Sequence, residues 1–177
     1  NLYKSDNLEI LVKKNLKGFS KLEQYKIIYG IAHALLVMHC NNAIHRDLKL
    51  SNVLLNFDNE PVICDFGLSK EVPYDENQTN TSNVCSCLYR APETYEHGKG
   101  YKPDICYKWE VDVFAFGIIM FEILEKNVLW PNANGTEKSF FEKYVIGRKE
   151  INEIDDSISE MNHVFGDLIR KCWNNQV

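Results

Sequence analysis

The chain has 177 residues, 45% of them hydrophobic, 12% aromatic and 25% charged, proportions that suit a folded globular domain and are too apolar for a disordered one. Its 20 Lys and Arg against 25 Asp and Glu leave a net charge of −5, which argues against a nucleic-acid backbone or an anionic membrane as main partner, because both need clustered cations. The length fits one domain or one large part of a bigger one.

The opening residues, Asn1 to Asp6, contain no apolar run, so no secretory signal is expected there. Leu11-Val12-Lys13 reads as helix. Across residues 21–40, Leu22, Tyr25, Ile28, Ile31, Leu35 and Met38 recur at intervals of three and four, the spacing of an amphipathic helix. Ser20 is its expected N-cap, and Glu23 three positions on completes a capping box. Val53-Leu54-Leu55 and Pro61-Val62-Ile63-Cys64 are short apolar runs separated by the turn-prone Asp58-Asn59, which predicts a hairpin. Residues 71–87 are rich in Asn, Ser and Thr and are long for a connection, a length usually kept for function. Residues 110–124 predict the most apolar helix, central to the fold. Its stretch Val111–Leu124 carries Asp112 and Glu122 and is too short to cross a bilayer, so no membrane segment is expected. Residues 139–146 and 161–173 predict two further helices. No repeat or linker divides the chain.

Six cysteines (Cys40, Cys64, Cys85, Cys87, Cys106 and Cys172) in a chain without a signal are expected to be reduced thiols, which favours the cytoplasm. The sequons at Asn77, Asn80 and Asn134 carry no meaning in that compartment.

The segment His45-Arg46-Asp47-Leu48-Lys49-Leu50-Ser51-Asn52 matches the pattern H-R-D-L-x-x-x-N at every fixed position. A chance match of five fixed residues arises about once in a million start sites. Asp65-Phe66-Gly67 follows, and Ala91-Pro92-Glu93 closes the polar loop. In order and spacing these three motifs resemble the protein kinases, and the resemblance covers essentially the whole chain. It implies a mainly α fold, the large C-terminal lobe of a kinase, with one small β-hairpin at the active site. Residues 1–177 would form a partial kinase domain, with a catalytic loop at 45–52 and an activation segment at 65–93. Cys172-Trp173 and the run from Asp112 to Gly117 resemble the tyrosine-kinase-like group of Ser/Thr kinases.

Phosphoryl transfer asks the protein mainly for positioning and charge neutralisation. By the resemblance, Asp47 matches the carboxylate that accepts the attacking hydroxyl's proton, and Lys49 matches a lysine that reaches the transferring phosphate. Asn52 and Asp65 match the positions that hold Mg2+ and, through it, ATP; oxygen donors suit that hard cation. Arg46 would face the activation segment and pair with a phosphate added at Thr79, Thr81, Ser82 or Ser86. Ser86 also stands where Ser/Thr kinases carry a threonine that touches the catalytic Asp and Lys, whereas Cys85 replaces a common Gly. Asp112, a charge in an apolar helix, needs buried partners and matches an aspartate that accepts backbone hydrogen bonds from the catalytic loop. Lys49 favours serine and threonine over tyrosine.

Cys85, Cys87, His97 and Cys106 are a rival zinc set, but their spacing is irregular and lacks paired C-x-x-C units. Cys64 is either a reactive thiol facing the nucleotide or a small buried residue ending a strand. The 177 residues hold neither a G-x-G-x-x-G loop nor a V-A-I-K lysine placed before the catalytic loop. The resemblance therefore implies that a small N-terminal lobe, supplied in the full-length product, is a required partner beside the protein substrate. The alternative is a catalytically silent pseudokinase acting as a binding module, against which the intact Asp47, Asn52 and Asp65 speak.

Overall fold

The structure is a computed structural model and describes residues 3–71, 89–91, 94–96, 100–101, 108–126 and 163–173. Strand β1 (Tyr3–Asn7) runs directly into helix α1 (Leu8–Lys13), whose first turn is capped by the Asn7 side chain accepting from the Ile10 amide. Helix α2 (Lys21–Cys40) starts at the expected capping box: Ser20 Oγ accepts from the Glu23 amide, and the Glu23 carboxylate takes the Ser20 N–H at 2.8 Å. Two of the helix's orphan donors are satisfied that way. Ile27, Ile28, Ile31 and Leu35 bury its inner face. Leu22 departs from the periodic reading and is 63% exposed among the described residues, while Gln24 is buried because its amide donates to the Phe19 carbonyl.

Strand β2 (Ala43–Ile44) precedes the loop 45–52, and the expected hairpin follows as β3 (Val53–Asn56) and β4 (Pro61–Ile63), with Val53 opposite Ile63 and Leu55 opposite Pro61. The turn is built locally, since Asn56 Oδ1 accepts from the amides of Asp58 and Glu60 and Asn59 takes a left-handed φ of 63°. Three pairings were not legible from local pattern. Strand β1 adds to the hairpin as its third strand, with Tyr3 opposite Asn56. Strand β2 pairs with β5 (Lys70–Glu71), so Glu71 is strand and not loop, and β6 (Tyr95–Glu96) pairs with β7 (Gly100–Tyr101).

Helices α3 (Glu110–Glu125) and α4 (His163–Trp173) fall where their patterns predict. The helix expected over 139–146 lies outside the described residues. Among the described residues no helix is long and apolar enough to cross a membrane. One apolar core joins these parts: Leu8 and Val12 of α1, Ile27 and Ile31 of α2, Val53 and Leu55 of β3, and Ile119 and Ile123 of α3.

Two contacts leave no space for a side chain. A Cβ at Gly30 of α2 would stand 2.5 Å from Pro61 Cγ, which lets the hairpin lie directly on the helix. One at Gly117 of α3 would stand 2.7 Å from the Cys172 Cβ, so α3 and α4 cross at close range. Burial in that crossing pushes the Cys172 thiol up to about 11. The stacked rings of Tyr25 and Phe165, 4.7 Å apart, join α2 to α4.

Candidate active site

The loop from His45 to Asn52 is seated by its leucines. Leu48 and Leu50 are buried in the core, and the Asp47 and Lys49 that alternate with them meet each other, Lys49 Nζ donating to Asp47 Oδ2 at 2.6 Å. Asn52 ends the loop in a one-turn 3-10 helix, Leu50–Asn52, and its amide donates to the Asp47 carbonyl at 2.9 Å and to Asp47 Oδ2 at 3.4 Å. Asp47 is nearly buried, so its charge stays put only because these donors surround it. Asn52 spends its N–H groups on Asp47, which leaves the amide oxygen as its remaining polar atom.

The loop's other end hangs on α3. Asp112, in the first turn of that helix and 1% exposed, accepts from the His45 amide at 2.8 Å through Oδ2 and from the Arg46 amide at 2.9 Å through Oδ1. The backbone partners foreseen for this residue are therefore present. His39, in the last turn of α2, shares Asp112 Oδ2 through its Nε2 at 3.0 Å. Arg46 has a left-handed φ of 70°, a conformation costing about 1–2 kcal/mol for a residue with a Cβ. Two hydrogen bonds to a buried carboxylate, each worth about 1.5–3 kcal/mol, offset that strain.

Strand β4 delivers Cys64 and Asp65 to the same place. The Cys64 amide donates to the Asn52 carbonyl at 2.9 Å, and its carbonyl accepts from His45 Nε2 at 3.0 Å. Cys64 Sγ also donates to the Asn52 carbonyl. Burial and the neighbouring Asp65 charge raise its pKa, so at neutral pH it is a thiol and a poor nucleophile. That favours the structural of the two sequence readings. Asp65 itself is exposed and held at φ 63°, ψ 63°. A Cβ at Gly67 would come within 3.3 Å of Asp65 Oδ1, so glycine keeps the space around that carboxylate open. Phe66 is 52% exposed and meets the edge of the His45 ring.

The structure thus joins Asp47, Lys49 and Asn52 by direct hydrogen bonds, and brings Asp65 to them through the backbone ties of Cys64. Arg46 is buried and lines a small cavity with Leu48, Tyr89, Arg90, Thr94 and Asp112. Thr79, Thr81, Ser82 and Ser86 lie outside the described residues, as do Cys85, Cys87, His97 and Cys106. Sequence reasoning missed two participants. His39 gave no signal beyond standing near the end of a helix. Tyr89, whose hydroxyl donates to Glu122 Oε2 at 2.8 Å, was hidden because Glu122 was noted only as a charge in an apolar stretch. A buried carboxylate demands a donor, and that rule could have prompted the search.

The family model described as the protein kinase domain matches residues 1–177. A cysteine-rich receptor-like protein kinase of Arabidopsis thaliana, number 6 of its series, is 33% identical over 147 residues, 78% of this chain and 21% of its own length. A probable LIM domain-containing serine/threonine-protein kinase of Dictyostelium discoideum is 32% identical over 176 residues, 99% of this chain and 24% of its own. The chain therefore spans less than a quarter of the length of the curated relatives it matches.

Proposed function

This chain belongs to the protein kinase domain family, and from that membership we propose that it is the large lobe of a serine/threonine kinase of the tyrosine-kinase-like group. In the full-length product it would transfer the terminal phosphoryl group of ATP to hydroxyls of protein substrates. The observation that carries this reading is the Asp47 carboxylate, nearly buried and met on one oxygen by both Lys49 and Asn52. A base so oriented can accept the proton of an attacking hydroxyl with little rearrangement. Lys49, a compact point charge beside it, is suited to the phosphate.

Members of the family use ATP and Mg2+. The residues present fit that pair: Asn52 retains an oxygen donor and Asp65 an uncrowded carboxylate, the donor type magnesium takes. When bound, magnesium-ATP supplies the phosphoryl group and a divalent charge that offsets the charge on its oxygens. Asn52 and Asp65 would hold the metal, and Asp47 and Lys49 would orient the hydroxyl and the phosphate.

The reaction is tested by phosphate transfer from radiolabelled ATP in the full-length product, followed by phosphoamino-acid analysis. Phosphoserine and phosphothreonine are expected. Mainly phosphotyrosine would overturn the specificity, and no transfer by a folded product would favour the silent binding module. The 177 residues alone are expected to turn over at least a thousandfold more slowly, because loss of phosphate positioning removes several kcal/mol of transition-state stabilisation. Comparable turnover would show that the small lobe is dispensable.

Regulation follows from Arg46. A phosphate at Thr79, Thr81, Ser82 or Ser86 would pair with its guanidinium and order the activation segment, a gain of a few kcal/mol at most. The buried position of Arg46, beside Arg90 on one cavity, supports this role. Arg46→Ala should abolish the activity gained on phosphorylation, and an unchanged gain rules the mechanism out.

A further inference from the structure

Cys64 meets both ends of the loop that begins at His45. Its carbonyl accepts from His45 Nε2 at 3.0 Å, and its amide donates to the Asn52 carbonyl at 2.9 Å. The thiol adds a second bond to the same oxygen, Sγ donating to the Asn52 carbonyl at 3.2 Å. The amide bond continues the β3–β4 ladder, in which Val53 faces Ile63, and any residue but proline at position 64 would supply it. The thiol bond is different, because it depends on the side chain. A carbonyl oxygen has two lone pairs, and here the N–H and the S–H of one residue take both.

We infer that the Cys64 thiol is a positioning group for the metal-holding part of the site: through the Asn52 carbonyl it sets the bearing of the Asn52 amide oxygen relative to Asp65. This deepens the kinase reading and rests on it. Two donors converging on one carbonyl fix the plane of that peptide group as well as its distance. They thereby fix the direction in which the Asn52 side chain leaves the backbone. The side-chain N–H groups are already spent on the Asp47 carbonyl and carboxylate, so backbone and side chain are held from opposite ends. Cys64 is also bonded covalently to Asp65, so one residue links the two oxygen donors that would share the metal. Serine could take over this task, because a hydroxyl donates from nearly the same place, whereas alanine could not. A thiol is a weak donor, which makes the expected effect graded rather than complete.

The test uses the full-length product with Cys64→Ala, which removes the donor, and Cys64→Ser, which keeps one. Affinity for Mn2+ in the presence of ADP, read by electron paramagnetic resonance, should fall about threefold in Cys64→Ala and stay within about twofold of the parent in Cys64→Ser. The Mg2+ concentration for half-maximal turnover should rise by the same factor in Cys64→Ala. Its kcat at saturating Mg2+ should stay within about twofold, a split that general loss of packing would not give. In the infrared difference spectrum of parent minus Cys64→Ser, the S–H stretch should lie below the frequency of a free thiol. If Cys64→Ala does not fold, that band decides, a lowered frequency supporting the tie and a free-thiol frequency refuting it. Equal losses in Cys64→Ala and Cys64→Ser, or parent-like metal affinity in a folded Cys64→Ala, overturn this inference alone. A parent protein that binds no Mn2+ with ADP and transfers no phosphate overturns the kinase reading, and with it the metal part of this one.

Discussion

Asp47→Asn in the full-length product is expected to lower kcat by about 10²–10⁴, the range that a positioned general base contributes. The substitution keeps volume and shape, and the Asn52 bond to the backbone carbonyl of residue 47 does not depend on the carboxylate. Lys49 loses its ion partner but is partly exposed, so water can take over. Stability should change by about 1–3 kcal/mol, because Asp47 is nearly buried and Lys49 only partly exposed. Kinetics and thermal unfolding measured on one preparation check both halves. Near-normal turnover in a folded variant would remove Asp47 from the role of base.

The largest structural effect is expected from Asp112→Ala. It removes at one stroke the acceptor of the His45 amide, the Arg46 amide and the His39 ring. Two backbone donors are then left buried without a partner, at about 1–3 kcal/mol each, and the left-handed Arg46 loses what offsets its strain. A total of about 3–5 kcal/mol is a large share of a typical domain's stability. Amide exchange at His45 and Arg46 should rise at least a hundredfold, with a fall in the unfolding midpoint of roughly 6–20 °C. Asp112→Asn keeps one acceptor oxygen and should lose less. An unchanged exchange rate at both amides in Asp112→Ala would contradict the anchoring described here.

Certain features were determined by the sequence alone because the forces behind them act between near neighbours. Ser20 and Glu23 start α2 because each satisfies the other's amide within three residues. The β3–β4 hairpin closes because Asn56 bonds two amides within four residues and Asn59 tolerates a left-handed turn. The grouping of the candidate residues in the loop 45–52 was likewise legible, and the structure joins Asp47, Lys49 and Asn52 by direct hydrogen bonds.

Tertiary structure alone decided the rest. Strand β1 pairs with β3, some fifty residues away, for backbone hydrogen bonds that leave no side-chain pattern. Pro61 meets Gly30 because hairpin and helix pack without space for a Cβ, a constraint invisible in either segment by itself. Asp112 and Glu122 look alike in sequence, two charges in an apolar helix. Only the packed chain shows that the first holds the amides that open the loop and the second accepts from the Tyr89 hydroxyl. A buried carboxylate announces that it needs donors, but which donors arrive depends on chain segments brought together by folding.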